Sequence, residues 1–191
     1  MKVYDISREV FSARVYPGDP EPRTTPVYRL EQGDLCNVTA LSLGSHTGTH
    51  MDAPSHFVPG GKTIDQVELS RCVGPCQVAE AHGPLTAQWV EERLRLGSPR
   101  LLLKGQGEVT LEAAEKMGEL GLLLLGVEDY TVGTTRTGPQ VHRALLTKEV
   151  AILEALDLSQ VEPGEYLLAA QPLKYGGLDG AQVRPVLLDL Q

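Results

Sequence analysis

Three of the chain's five histidines and an aspartate fall within the stretch GSHTGTHMDAPSHF, Gly44 to Phe57. Imidazole and carboxylate are the usual protein ligands of zinc and neighbouring transition metals, and three protein ligands with an open position make a catalytic zinc site. His46, His50, Asp52 and His56 are the candidates. In an extended segment His50 and Asp52 project from one side, and His46 shares their parity, so a strand-like or gently turning backbone would aim all three at one ion. A helix fits poorly, because Gly48 and Pro54 interrupt it and Thr47 and Thr49 favour extended geometry. The competing reading is a polar surface loop, since a single surface histidine is ordinarily solvated or hydrogen-bonded. Four candidate groups at even positions, with small residues between them, favour the metal.

Other apparent chemistry falls away. GGKT at Gly60 to Thr63 is similar to the end of a phosphate-binding loop, but that loop needs glycine five positions before Gly61, where this chain has His56. The three cysteines, Cys36, Cys72 and Cys76, are an odd number, and Cys72 and Cys76 stand one residue too far apart for the common redox and zinc-knuckle pairs. They read as reduced packing thiols.

The elements that must position the cluster are mostly strands. Short apolar or β-branched runs predict them at Lys2 to Ser7, Thr25 to Glu31, Cys36 to Gly44, Cys76 to Ala81, Arg100 to Gly105, Gly121 to Val127, Glu149 to Glu154, Glu165 to Gln171 and Val183 to Leu190. Helical periodicity follows Thr86 up to Gly97, and again follows Thr110 up to Gly121. A third helix is expected from near Gln140, after Gly138 and Pro139. Helix then strand, repeated through the middle of a β-rich chain, predicts an α/β domain with a mixed sheet and a few flanking helices.

Nothing in the composition marks a linker or a repeat, so residues 1–191 read as a single domain, long enough to bury a core without staples. Net charge is -8, from 17 Lys+Arg against 25 Asp+Glu, and no basic cluster exceeds a pair, which argues against a nucleic-acid partner. No apolar segment follows Lys2, and the run Leu120 to Val127 is too short to span a bilayer, so a cytoplasmic protein without a membrane partner is the expectation.

HTGTHMDAPSHF also matches the signature His-x-Gly-Thr-His-x-Asp-x-Pro-x-His, and through it the chain resembles the metal-dependent cyclase superfamily, which includes the bacterial kynurenine formamidases (arylformamidases). YDIS near the start, YPGDP at Tyr16 to Pro20 and the stretch from Val141 to Leu187 extend the likeness over nearly all of the sequence. The resemblance implies a swivelling β/β/α fold and two divalent metal ions. His46 and His50 would bind one ion, Asp52 would bridge, and His142 would bind the second. Glu154, twelve residues after His142, would bridge both ions, and His56 would act as acid/base. Zinc fits this ligand set, and manganese suits a carboxylate-bridged site. His82 has no counterpart among these ligands and reads as a surface or hydrogen-bonding residue.

The implied reaction is hydrolysis of N-formylkynurenine to kynurenine and formate, a step of tryptophan catabolism, by an arylformamidase acting on a carbon–nitrogen bond. Tyr16 stands where formamidases carry a tryptophan that walls the substrate. Two stretches depart from their pattern: EDYTVGTTRTG keeps only Glu128 and Asp129 as acidic echoes, and DGAQVR runs from Asp179 to Arg184. The superfamily also holds isatin hydrolases, so opening of a cyclic amide or lactone is an alternative, and a noncatalytic metal-stabilised domain is a third. Members usually form dimers or higher assemblies, which implies a homo-oligomer, dimer or tetramer, acting on a small molecule.

Overall fold

The computed structural model describes residues 1–94 and 97–189. The strands are β1 (Lys2–Asp5), β2 (Arg23–Tyr28), β3 (Val38–Ser42), β4 (His50–Asp52), β5 (Val73–Glu80), β6 (Gly83–Pro84), β7 (Arg100–Lys104), β8 (Gly107–Glu108), β9 (Leu124–Val127), β10 (Ala151–Glu154), β11 (Gly164–Ala169), β12 (Gly180–Gln182) and β13 (Val186–Asp189). The helices are α1 (Leu69–Cys72), α2 (Ala87–Leu94), α3 (Leu111–Glu119) and α4 (Gly138–Thr147). One mixed sheet of nine strands runs β1-β13-β11-β5-β7-β9-β10-β4-β12. Its centre, β5-β7-β9-β10, is parallel, and the strands on both flanks are antiparallel.

The parallel centre explains the unbroken apolar runs: a strand covered on both faces has no polar side to show. Leu101, Leu103, Leu125 and Ile152 pack with Val90, Ala113, Met117 and Leu145 of the helices. Leu102, Leu124 and Leu153 point the other way and join Met51, Leu168, Ala181 and Leu187 in a second core. That second core takes residues from β13 and β12, near opposite ends of the sheet order, so the sheet curls around it. Each fully buried leucine contributes about 1.5–3 kcal/mol relative to exposure.

Caps sit where the sequence places them. The Thr110 hydroxyl accepts the Ala113 N–H, and the Thr86 hydroxyl accepts the Trp89 N–H. The helix α2 is described as far as Leu94; residues 95 and 96, which separate it from the expected stop at Gly97, and residue 190, the expected end of the last strand, lie outside the described residues. Helix α4 begins at Gly138 rather than Gln140, because Pro139 in the first turn has a pre-set φ and no N–H to lose. Two short strands of the main sheet, β4 and β12, carry too few residues for a periodicity signal.

Cys72 and Cys76 are buried thiols, and loss of solvation pushes them up to about 11 and about 12. Cys36 is exposed, which corrects its reading as a packing residue. It lies between β2 and β3, which pair only with each other and expose every residue, including Val27, Tyr28 and Leu41. His82 is exposed, as expected. Among the described residues no helix is long and apolar enough to cross a membrane.

Candidate metal centre

Strand β4 carries half of the cluster, and its pairing supplies the rest. It lies between β10 and β12, with Glu154 opposite His50 on one side, and Gln182 opposite His50 and Gly180 opposite Asp52 on the other. Residues opposite each other in an antiparallel pair project to the same face. Met51 therefore enters the second core while His50, Asp52 and Glu154 turn to the helix-bearing face, where α4 brings His142.

Two local devices hold this end together. The buried Thr49 hydroxyl donates to the Ala155 carbonyl at 2.6 Å and accepts the Arg8 N–H at 2.8 Å, tying the signature to the end of β10. Ala155 itself sits at φ 57, a left-handed conformation immediately after Glu154. His46 does not lie on the strand. It reaches the cluster over a turn in which Gly48 has φ 68, and a Cβ there would meet Val10 Cα at 3.2 Å. Shared parity is thus not what aims His46: a left-handed turn interrupts the extended run.

The side chains converge. His46 Nδ1 is 2.9 Å from Asp52 Oδ1, and His50 Nε2 is 3.3 Å from both Asp52 Oδ1 and Glu154 Oε2. His142 Nε2 lies 3.4 Å from Asp52 Oδ2 and 3.2 Å from Glu154 Oε1. The His56 ring, on a single turn following Ala53, stacks on His46 at 3.9 Å between centroids. Two groups have ligand atoms within 4.8 Å of one another, His46-Asp52-His56 and His50-Asp52-Glu154, and Asp52 belongs to both. All six residues singled out as metal-binding or acid/base from the sequence meet here.

Hydrogen bonding on the far side of the rings decides what the near side needs. His50 Nδ1 is 2.8 Å from the Gly48 carbonyl and His142 Nδ1 is 2.7 Å from the Gly138 carbonyl. A carbonyl only accepts, so each Nδ1 carries the hydrogen, and a neutral ring then presents a bare Nε2 to carboxylate oxygens. Lone pair facing lone pair is unstable without a proton or a cation between them. Asp52 Oδ2 is buried and makes no hydrogen bond among the described residues, its neighbour being the His142 Nε2 at 3.4 Å. Two imidazoles and two carboxylates with inward lone pairs are the donor set of a divalent metal ion, and the residues fit one.

Protons take the cation's place when no metal is bound. Burial pushes His50 and His142 down, but their hydrogen bonds to Asp52 and Glu154 outweigh it and raise each to about 10. Burial would raise Asp52, yet bonds from His142, His46 and His50 hold it well below the usual carboxylate range. For His56 burial dominates and lowers it. A histidine raised in the folded state stabilises fully below its unfolded value and ceases to as pH passes the folded value. Metal-free protein should therefore lose thermal stability from about pH 6.5 towards 10, while metal affinity rises over that window as the displaced protons become easier to remove. Melting of chelated protein against pH checks this, and a flat profile contradicts it.

The cluster opens into a cavity of about 410 Å³ lined by Tyr16, Asp19, Phe57, Tyr130, Thr131 and Asp179 beside the histidines. Tyr16 faces Tyr130 at 5.7 Å, and the Arg14 guanidinium covers the Tyr130 ring at 3.9 Å. Tyr130 and Asp179 escaped prediction as site residues, because no spacing rule links a loop tyrosine or a lone aspartate to a cluster elsewhere in the chain. The acidic echoes are braces: Glu128 accepts the Gly105 and Leu158 N–H groups, and the Asp129 carbonyl accepts the Ala155 N–H.

Residues 4–98, which include the whole signature, match the Cyclase family. The chain belongs to the cyclase family. A structure described as a potential metal-dependent hydrolase with cyclase activity superposes with TM-score 0.84 at 27% identity, over 100% of this chain and 98% of that one. A predicted metal-dependent hydrolase from Bacillus stearothermophilus gives 0.79 at 27% identity, over 97% of each chain. Isatin hydrolase A from Labrenzia aggregata, bound to benzyl benzoate, shares the fold at TM-score 0.82 and 20% identity, over 97% of this chain and 93% of that one. This cyclase-family chain thus has the architecture of metal-dependent hydrolases, with the signature histidines His46, His50 and His56 lining a cavity.

Proposed function

We propose that the protein is a binuclear metal hydrolase that cleaves the carbon–nitrogen bond of an aryl formamide, with N-formylkynurenine as substrate and kynurenine and formate as products. One observation carries the metal reading: buried Asp52 belongs to both ligand groups, and its Oδ2 makes no hydrogen bond among the described residues. A carboxylate can bridge because each oxygen offers lone pairs, so Asp52 and Glu154 would take the shared positions and His46, His50 and His142 would each serve a single ion. When bound, zinc or manganese ions would polarise the formyl carbonyl and bring the pKa of a water down to about 7.

The remaining work falls to the chain. His56 is lowered by burial and so is neutral near pH 7, able to take a proton from the attacking water and return it to the leaving nitrogen. The water oxygen joins the formyl carbon, the carbon–nitrogen bond breaks, and the amine leaves with that proton. Tyr16 and Tyr130 form an aromatic wall for the ring next to the amide. Such a contact adds about 0.5–1.5 kcal/mol beyond burial, so Tyr130→Ala should raise KM for an aryl formamide about two- to tenfold and leave an alkyl formamide unaffected. Equal effects on both substrates would remove the wall.

A second reading has its own support. Among the described residues the cavity lining contains no lysine or arginine. Asp19 and Asp179 could take the α-ammonium of N-formylkynurenine, but no cation of the lining meets its α-carboxylate, whereas a neutral cyclic aryl amide or lactone needs none. Metal analysis by mass spectrometry, with parallel hydrolysis of N-formylkynurenine and isatin, separates the two. Bound metal without turnover of any formamide, cyclic amide or lactone leaves only the noncatalytic reading.

The proposal includes a cytoplasmic setting, in keeping with three free thiols, and a homo-oligomer. The β2–β3 arm starts from the cavity rim at Pro20 and Gly44 and exposes Leu30 and Leu35, surface that a second copy would cover. Light scattering should give a multiple of 20.7 kDa, and a monomer would contradict this part.

A further inference from the structure

His46 differs from the other two candidate imidazole ligands in what holds its far side. His50 and His142 use backbone carbonyls, at 2.8 and 2.7 Å, whereas His46 Nε2 lies 2.9 Å from a carboxylate oxygen, Asp179 Oδ2. Asp179 is itself well seated. Its carbonyl accepts the Ala53 N–H at 2.9 Å, anchoring it to the segment after β4, and Ser45 donates its hydroxyl to Oδ1 at 3.0 Å. Oδ2 also lies 3.4 Å from His56 Nδ1, so one oxygen faces both stacked rings.

The next residue completes the seat. Gly180 is paired with Asp52 across β12 and β4, and a Cβ there would stand 2.6 Å from His46 Cε1 and 3.0 Å from Nδ1. The first distance is shorter than real Cβ contacts show and the second is tight, so a side chain there would push the ring from its place. Gly180 is thus needed for clearance, while Asp179 supplies the grip.

We propose that Asp179 and Gly180 form the seat of His46: the carboxylate accepts the Nε2–H, fixes the ring's tautomer and turns a bare Nδ1 towards the metal position beside Asp52. This inference rests on the metal reading above. A carboxylate behind a metal-bound histidine orients the ring and raises its basicity as a ligand, and loss of such partners typically weakens metal affinity about 10–100-fold. Asp179 is half-exposed, so the directed hydrogen bond matters more than the field of its charge. Asp179 is a positioning residue for the ligand.

The test compares wild type, Asp179→Ala, Asp179→Asn and Gly180→Ala by zinc competition with a chromogenic chelator. NMR of the zinc-loaded proteins, labelled at histidine nitrogen, follows the His46 Nε2–H signal, assigned by its absence in His46→Gln. Asp179→Ala should bind zinc about 10–100-fold more weakly and lose the hydrogen-bonded signal. Asn keeps an accepting oxygen without the charge and should fall between Ala and wild type. Gly180→Ala should also weaken binding, although its carboxylate is intact. Because Asn matches Asp in size, that variant decides the matter if the Ala form does not fold. Zinc affinity within about twofold of wild type, with the signal retained, overturns the seat while leaving the metal site standing. A wild-type protein that binds no divalent metal overturns both.

Discussion

Asp52→Asn should yield folded protein that holds no stoichiometric zinc or manganese and hydrolyses substrate more than about 10³-fold more slowly, since without metal the attacking water returns from a pKa of about 7 to the far weaker acidity of bulk water. The position is fully buried, and its two oxygens meet His46, His50 and His142. An amide of the same shape replaces one oxygen by an NH2 group, which only donates, so it cannot bridge two ions. Glu154→Gln should lower metal content in the same direction, because Oε2 faces His50 while Oε1 already accepts the Val132 N–H at 2.7 Å. Metal content by mass spectrometry and kcat on one preparation, with near-ultraviolet circular dichroism to verify folding, make the measurement. Retention of both metal and rate in Asp52→Asn would disprove the bridge.

His56→Ala should separate chemistry from metal binding. Removal of a general acid/base costs about 10²–10⁴-fold in kcat, and metal content and KM should stay near wild type. The structure supports that separation: the ring is partly exposed at the cavity, and among the described residues no backbone carbonyl holds it as one holds Nδ1 of His50 and of His142. It also stands within ligand reach of the His46-Asp52 group, so loss of metal with loss of rate would reassign it as a ligand. Full activity in His56→Ala would remove the acid/base role altogether.

Much of this site was legible before folding, and for a local reason. His46, His50, Asp52 and His56 are crowded into one segment, and residue types that bind metals cannot be crowded by chance often. His142 and Glu154 came only through the likeness to a known family, because a helix residue and a strand residue twelve positions later carry no spacing signal that links them to β4. The helix caps at Thr86 and Thr110 and the buried central strands were likewise readable, since capping and apolar runs are properties of short windows.

Pairing decided the rest. Glu154 meets His50 because β10 lies beside β4 in one register, and Gly180 clears His46 because β12 lies on the other side. Strand neighbours are set by which faces must be buried, a sum over the whole core, and no stretch of sequence contains that sum. The same holds for Tyr130 against Tyr16, for Asp179 behind His46 and for the exposure of Cys36 on an unpartnered hairpin. The sequence by itself determined the kinds of ligand, the family and the chemistry available; the tertiary structure alone decided which groups share Asp52, what holds each ring and what lines the cavity, because those depend on contacts between segments up to 138 residues apart.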